Sequence, residues 1–313
     1  MNNKCKVTVA VISYNPVWEK LRNTLKSIVW QENVDFEIVV ADDGSENDCF
    51  DLVKEFFKEK EFTNYKLVRN LKNQGIVKNV LSALKVTEGK FIKLISPGDF
   101  LYDEDTLCQF VDFAEKNPAA AYFSNMFAYA RQKDETIKVF DNIKNPRDLH
   151  PWLKNDIQKI KKNYFFYSDY ICGATLMFNT KKFNSYLSEI SQVAVFAEDM
   201  VLIYMIANQE TVLYMNVGGI WYEYGEGIST QKSSIWSKCL QEDRKKIIHL
   251  VSSKSLLPSW LYTAYFSQCR LERYFLKFIH IPCFYIKNFL LSVRIRGYNS
   301  ICYDKQTLER VLK

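Results

Sequence analysis

The stretch V-T-V-A-V-I-S-Y-N, residues 7–15, is the part of the sequence that decides the fold. Its first six residues form a near-continuous run of apolar and β-branched side chains, which is the pattern of a strand covered on both faces of a parallel sheet. Pro16 follows and opens a predicted helix, in which apolar residues recur at helical spacing: Val17, Leu21, Leu25 and Ile28. The chain therefore begins with a buried strand that leads directly into an amphipathic helix.

The same alternation continues outward from this first strand and helix. A second buried strand, residues 36–41, stops at the turn residues Asp42-Asp43-Gly44-Ser45 and completes a βαβ unit. Further helices are predicted at 50–58 and 77–86, and further strands at 65–68 and 91–95. This order predicts an α/β fold with a mostly parallel central sheet and helices on both faces, whose ligands bind at the carboxyl ends of the strands.

Beyond residue 120 the pattern is mixed. A strand at 120–123 precedes a polar stretch, Arg131–Lys162, which is too long for a plain connection and is predicted to be an insertion or a mobile loop. Strand-like runs at 170–178 and 212–214 flank an apolar helix at 200–207. Glu198 and Asp199 lead that helix, and acidic residues at a helix N-terminus are also stabilised by the helix dipole, so the pair has a purely structural explanation as well.

The charge of the chain is unevenly distributed. Its 313 residues carry 42 Lys and Arg against 36 Asp and Glu, yet residues 231–313 alone carry 15 basic and 5 acidic residues. From Ile235 onward the sequence is predicted to be helical, with aromatic residues interleaved among the basic ones, a composition typical of helices at a membrane surface. A core-packing helical bundle is the alternative. Binding to nucleic acid is not expected, because long aliphatic residues such as Ile279, Leu290 and Leu291 alternate with the aromatics.

Several classes of protein are disfavoured. The eight cysteines are scattered without C-x-x-C spacing, which argues against a disulfide scaffold and a zinc ribbon. The longest nearly uncharged stretch, 275–293, is interrupted by Lys277, His280 and Lys287, so a cytoplasmic chain without a spanning helix is expected. The glycine motifs of dinucleotide and P-loop sites are absent, as is a serine nucleophile elbow. What remains at the predicted strand ends is acidic.

The ordered set V-I-S-Y-N (11–15), V-V-A-D-D-G-S (39–45), N-x-G (73–75), L-I-S-P-G-D (94–99) and E-D (198–199) resembles an inverting family 2 glycosyltransferase. The resemblance covers about residues 5–230 and implies a GT-A nucleotide-sugar-binding fold. It implies that Ser13 and Tyr14 frame the nucleotide base and that Asp43 hydrogen-bonds its imide edge, with Asp42 beside it.

The resemblance also implies a metal ligand and a general base. Asp99 falls where the D-x-D-type element of the family ends, which makes it the candidate ligand of Mn²⁺ or Mg²⁺ on the donor diphosphate. Ser96 and Gly98 stand where that element is usually acidic, and we count Gly98 among the donor-binding residues. Glu198-Asp199 matches the pair in which the aspartate takes the proton of the acceptor hydroxyl, so Asp199 is the predicted base and Glu198 its orienting neighbour.

Two departures concern the diphosphate. The loop after the E-D helix usually carries an arginine and a histidine, but here it reads W-Y-E-Y-G-E-G-I-S-T, residues 221–230. We therefore expect the diphosphate to contact the 227–230 backbone and the Ser229 hydroxyl, or Lys232. The usual Arg-Asn pair in the N-x-G helix is replaced by Val80-Leu81, which leaves Lys78 as a nearby polar substitute.

The resemblance implies a glycosyltransferase that moves a sugar from a nucleotide-sugar donor, expected to be a UDP-sugar, to a glycan or lipid-linked acceptor with inversion, in surface polysaccharide biosynthesis. Residues 1–230 are the predicted catalytic domain, with a nucleotide-binding half at 1–105 and an acceptor half at 106–230. Residues 231–313 are the predicted membrane-associating segment, on the cytoplasmic face of the inner membrane. The alternative is a catalytically inactive nucleotide-binding or scaffold protein of the same fold.

Overall fold

The computed structural model describes residues 6–134, 136–227, 230, 234–281, 286–287, 289–290, 295–298 and 303–312. The strands are β1 Val7–Ser13, β2 Phe36–Asp42, β3 Tyr65–Arg69, β4 Phe91–Ile95, β5 Phe100–Leu101, β6 Ala121–Arg131, β7 Ile137–Phe140, β8 Leu176–Asn179 and β9 Val212–Glu223. The helices are α1 Trp18–Val29, α2 Phe50–Glu59, α3 Ile76–Leu84, α4 Thr106–Lys116, α5 His150–Leu153, α6 Ile157–Phe166, α7 Thr180–Ile190, α8 Val201–Ala207, α9 Ser234–Ser253, α10 Ser259–Phe266, α11 Arg270–His280 and α12 Lys305–Leu312.

One sheet contains all the strands of the described residues. Its order is β3-β2-β1-β4-β8-β6-β9-β5, and β7 pairs with the outer part of β6. Six of these nine strands run in one direction, while β8, β5 and β7 run against it. The predicted mostly parallel sheet is confirmed, and the parallel register aligns the ends of β1 and β2 by pairing Ser13 with Asp42.

The two faces of the sheet each bury a hydrophobic core. Alternate residues of β1 point to opposite faces, so that Val9 and Val11 belong to one core and Ala10 to the other. Helices α1, α2 and α4 cover the first face, and α3, α6, α7, α8 and α9 cover the second. Of the predicted apolar stripe, Val17 precedes α1 and is 61% exposed, whereas Leu21, Leu25 and Ile28 have no exposed surface. Burial of each such side chain stabilises the fold by about 1.5–3 kcal/mol.

The stretch 131–162, predicted as an insertion or a mobile loop, is instead partly regular. It contains the end of β6, β7 and the helices α5 and α6. Strand β7 has four residues and no fully buried side chain, and α6 joins the core through Ile160, Tyr164 and Phe165. Short elements of this kind have little periodicity in the sequence, because their stability comes from the β6 edge and the core that they contact.

The C-terminal helices divide into two groups. Helix α9 packs into the core of the catalytic region through Ile247, Ile248 and Val251, and α12 packs beside β9 through Leu308 and Val311. Helix α11, in contrast, has no buried residue. Within the part of the chain described here, no helix combines the length and the hydropathy needed to span a bilayer.

Candidate active site

A cavity of about 460 Å³ opens at the carboxyl edge of β1, β2 and β4. That volume lies in the range of small-molecule binding sites. It is lined by most of the residues that the sequence singled out, namely Ser13, Tyr14, Asp43, Asp99, Glu198 and Asp199. The tertiary structure thus brings together side chains from segments up to about 185 residues apart in the sequence.

One end of the cavity is built from the ends of β1 and β2. Tyr14 is 52% exposed, whereas Ser13 and Asp43 are buried. The Asp43 carboxylate accepts hydrogen bonds from the backbone N–H groups of Gln74 (3.0 Å to Oδ1) and Gly75 (2.7 Å to Oδ2), and from the side-chain amide of Asn70 (2.8 Å). Asp43 therefore fixes the loop at 70–75 against this end of the cavity, besides the nucleotide contact predicted for it.

Asp42 does not line the cavity. Its side chain is fully buried and accepts a hydrogen bond from the backbone N–H of Ser45 at 2.8 Å, and a second one from the Ser45 hydroxyl. These hydrogen bonds stabilise the turn that follows β2. The contact of Asp42 with the nucleotide stays a prediction.

At the other end of the cavity lie Glu198 and Asp199, immediately before α8. Asp199 lies against the short helical turn Gly173–Thr175. Removal from water raises the pKa of both carboxyls, and the charge of Asp199 raises that of Glu198 further. At neutral pH the pair is thus suited to hold one proton on Glu198 and the negative charge on Asp199, which is the form that a general base needs.

Asp243 is a contributor to this site that sequence reasoning missed. It lies on α9, is 3% exposed, and its Oδ2 accepts hydrogen bonds from the backbone N–H groups of Val195 (2.9 Å), Phe196 (2.6 Å) and Ala197 (3.2 Å). These three residues directly precede Glu198. Helix α9 also contributes Trp236 and Leu240 to the cavity wall. The only signal in the sequence was an acidic residue inside a basic segment.

Lys93 was also missed. It is fully buried on β4, and its ammonium donates a hydrogen bond to the carbonyl of Ala174 at 2.8 Å. Burial lowers the pKa of this lysine to about 8. The contact ties the middle of β4 to the segment 172–174, which lines the cavity beside Asp199. A lysine within the apolar run F-I-K-L-I was the available signal.

The middle of the cavity contains Asp99. Its Oδ1 accepts a hydrogen bond from the backbone N–H of Glu223 at 2.9 Å, and burial raises its pKa to about 7. Gly98 has φ +105°, and a β-carbon there would lie 2.2 Å from the Glu223 carboxylate. The side chain of Glu223, together with that of Glu226, forms an ion pair with the ammonium of Lys20, at 2.8 Å and 3.2 Å.

As arranged, these residues do not fit the expected divalent cation. Asp99 is the one carboxylate of the segment 96–99, and the two nearby glutamates already share the Lys20 ammonium. Among the described residues, no group of three or more His, Cys, Asp or Glu side chains is arranged to hold a metal ion. Mn²⁺ or Mg²⁺ at Asp99 stays a prediction, and no step below depends on it.

Of the remaining predicted donor contacts, Lys78 lies in the part of the chain that the structure describes. Lys78 is exposed on α3 and is not part of the cavity wall. Ser229 and Lys232 fall outside the described residues, although the neighbouring Gly227 does line the cavity.

Comparison with known proteins adds two observations. Residues 8–187 match the family described as Glycosyl transferase family 2. An uncharacterized protein of Methanocaldococcus jannaschii is 26% identical over 172 residues, which span 52% of this chain and 69% of that protein.

Among solved structures, residues 1–349 of S. aureus TarS in complex with UDP-GlcNAc align with a TM-score of 0.57 at 19% identity, over 90% of this chain and 76% of that one. A mannosyltransferase of Pyrobaculum calidifontis in complex with GDP-Man and Mn²⁺ aligns with a TM-score of 0.54 at 15% identity, over 93% and 85%. In the longer TarS structure the aligned part covers 44% of that chain. These similarities confirm the expected fold.

Proposed function

The chain belongs to glycosyl transferase family 2, and from that premise we propose that it transfers a sugar from a nucleotide-sugar donor to a hydroxyl group of a glycan or lipid-linked acceptor, with inversion. One observation carries the proposal. The predicted base-binding residues Ser13, Tyr14 and Asp43 and the acidic pair Glu198–Asp199 line a single cavity. A donor bound along that cavity has its nucleotide at β1 and β2 and its sugar beside Asp199.

The proposed reaction is a single displacement at the anomeric carbon. The acceptor oxygen forms a bond to that carbon while the bond to the diphosphate oxygen breaks, and the nucleoside diphosphate leaves with the electron pair. The Asp199 carboxylate takes the proton of the attacking hydroxyl. Because the hydroxyl attacks from the face opposite the leaving group, the configuration at the anomeric carbon inverts. Glu198, whose raised pKa keeps it protonated at neutral pH, donates a hydrogen bond that orients the acceptor.

We propose a UDP-sugar as the donor. Support comes from the similarity to TarS, which was solved with UDP and with UDP-GlcNAc. The mannosyltransferase that shares the fold was solved with GDP-Man, so the identity of the donor nucleotide has to be tested directly. Thermal unfolding with UDP, GDP, CDP, TDP and ADP, with and without Mn²⁺, is the first experiment, because a ligand that binds only the folded state stabilises it by RT ln(1 + [L]/Kd) and so raises the Tm. A shift with UDP alone supports the assignment, and a shift with GDP alone reassigns the donor.

Asp199→Asn separates an enzyme from an inactive nucleotide-binding protein. The amide cannot take a proton at neutral pH, so we expect sugar transfer to fall by about 10²–10⁴-fold while UDP binding stays intact. Asp51→Asn on α2, where the carboxylate is 93% exposed, removes the same charge from outside the cavity and is the matched control. Transfer that is as fast in Asp199→Asn as in the Asp51 control would contradict the assigned base, and UDP binding without any transfer would favour the inactive alternative.

We also propose that the acceptor is reached at an anionic membrane surface, as expected for an enzyme of surface polysaccharide synthesis on the cytoplasmic face of the inner membrane. Helix α11 supports this. Leu271, Phe275 and Phe278 share one face of the helix and are 78%, 63% and 69% exposed. Arg273 and Lys277 lie on the other side. An exposed apolar face combined with basic residues complements a bilayer with acidic headgroups.

A further inference from the structure

The cavity has an excess of acidic side chains. Among the described residues that line it, six have carboxyl groups: Asp43, Asp99, Glu198, Asp199, Glu223 and Glu226. In the same set, Lys20 is the single residue with a cationic side chain. A diphosphate that enters such a cavity is repelled by carboxylates unless a positive charge lies within a few ångströms of it.

Lys20 is held at the middle of the cavity by α1. One turn further along the same helix, the Thr24 hydroxyl donates a hydrogen bond to the carbonyl of Asp99 at 2.9 Å and accepts one from the N–H of Gly98 at 3.0 Å. The helix is therefore fixed directly against the turn at 98–99. Lys20, four residues before Thr24, projects on the same side of the helix toward that turn.

The order of the strands places this lysine between the two ends of the cavity. Asp43 follows β2, Ser13 ends β1, Asp99 follows β4, and Gly173 precedes β8, in the lateral order of the sheet. Adjacent strands are about 4.8 Å apart. A nucleotide sugar has its diphosphate between the nucleoside and the sugar, so a donor with its base near Asp43 and its sugar near Asp199 has its diphosphate beside Asp99 and Lys20.

The ammonium of Lys20 has the capacity for a further contact. Its acceptors among the described residues are Glu223 and Glu226, and an ammonium has three N–H donors. Since the described residues supply these two acceptors and no third, one N–H is left for a phosphate oxygen. The lysine side chain is 34% exposed and the Glu226 side chain 65% exposed, so both groups can adjust to a ligand.

We propose that Lys20 binds the donor diphosphate and supplies the positive charge that the diphosphate needs. The segment 96–99 and the glutamates around it are not arranged to hold a metal ion that would supply this charge instead. The ligand class is a nucleoside diphosphate, and the inference rests on the proposed function. Glu223 and Glu226 hold the ammonium in place before the donor binds. The negative charge of Glu226 also repels the phosphates of the donor.

The experiment is calorimetric titration of the full chain with UDP and with uridine, in EDTA and in Mn²⁺. The chain should bind UDP in EDTA, and Lys20→Gln should weaken that binding by about 10- to 100-fold, the value of a hydrogen bond to a charged group. Uridine, which lacks phosphates, should bind Lys20→Gln and the unchanged chain equally. Lys20→Arg should retain most of the affinity for UDP. Arg22→Gln is the matched control, because it eliminates an exposed positive charge on the same helix, α1.

Glu226→Gln provides a test in the opposite direction. It removes a negative charge beside Lys20 from an exposed side chain, so it should increase the affinity for UDP, an effect that damage to the fold cannot produce. The inference is overturned if UDP binds only with Mn²⁺, or if Lys20→Gln and Arg22→Gln bind UDP alike. Absence of binding by any nucleoside diphosphate, with or without Mn²⁺, would instead contradict the proposed function itself.

Discussion

Gly173 lies so close to Asp199 that a β-carbon on the glycine would be 2.9 Å from the Asp199 β-carbon and 3.1 Å from its Oδ2. A β-carbon essentially never approaches a non-bonded atom closer than 3.0 Å, so a side chain at position 173 would displace Asp199. The position of the proposed base is therefore determined by a residue from the segment before β8, about 25 residues earlier in the chain.

Gly173→Ala should displace the Asp199 carboxylate and lower kcat by about tenfold or more, since small errors in the position of a catalytic group are costly. Binding of UDP, which depends on the other end of the cavity, should change little. Steady-state kinetics together with UDP titration measure the two effects separately. An unchanged kcat in a variant with the Tm of the unmodified chain would show that the contact with Gly173 does not position the base.

The pH dependence of transfer should report the raised pKa of Asp199. Burial raises this pKa to about 6, from an ordinary value of 3.8. The base works only when charged, so kcat/KM should increase with pH, with a midpoint well above the ordinary value because the buried carboxyl titrates together with Glu198. Profiles measured between pH 4 and 8, with the Tm followed in parallel, locate this midpoint. A midpoint near 4 would show that the carboxylate is not desolvated as described.

Asp243→Ala should reduce both stability and turnover. It leaves three consecutive backbone N–H groups next to Glu198 without their shared acceptor, and one unsatisfied buried donor costs about 1–3 kcal/mol. We expect a loss of at least about 2 kcal/mol in the free energy of unfolding, and a larger effect on kcat than on UDP affinity. Urea unfolding and kinetics measure both quantities.

Glu242→Gln is the matched control for Asp243, because Glu242 is adjacent on α9 and its side chain is 60% exposed. Asp243→Asn, which keeps one carbonyl oxygen as an acceptor, should lie between the alanine variant and the unmodified chain. Equal kinetics in Asp243→Ala and Glu242→Gln would show that α9 does not position the acidic pair.

Replacement of Phe275 and Phe278 by serine should weaken binding to vesicles that contain phosphatidylglycerol. Burial of each phenylalanine contributes up to about 1.5–3 kcal/mol, so loss of two should lower the bound fraction by tenfold or more. Leu71→Ser combined with Leu153→Ser removes two exposed apolar residues from outside α11 and serves as control. Flotation assays at low and high salt measure the effect. Equal flotation of the two double variants would exclude α11 as the contact surface.

The parallel half of the sheet could be predicted from the sequence because its signals are local. A buried strand such as β1 has a continuous run of apolar residues in the sequence. The turn residues at 42–45 mark the end of the neighbouring strand β2 to within a few residues. The same locality identified Asp43 and Asp99 as candidates, since polar residues at such strand ends meet at one edge of a parallel sheet. Asp199, which precedes a helix, was identified through the E-D pair of the resemblance. The short elements β7 and α6 could not be predicted in this way, because they depend on surfaces that form only when the chain folds.

The sequence by itself determined the alternation of strands and helices in the parallel half of the sheet, the edge at which acidic residues collect, and the family, because each depends on residues near one another in the chain. Only the tertiary structure decided how the charges of the site are paired. Lys20 meets Glu223 across 203 positions, and Asp243 reaches the backbone at 195–197 from a helix that the charge pattern assigned to the membrane-associating segment. The physical reason is that hydrogen bonds and ion pairs act over a few ångströms in space, whatever the separation of the partners along the chain.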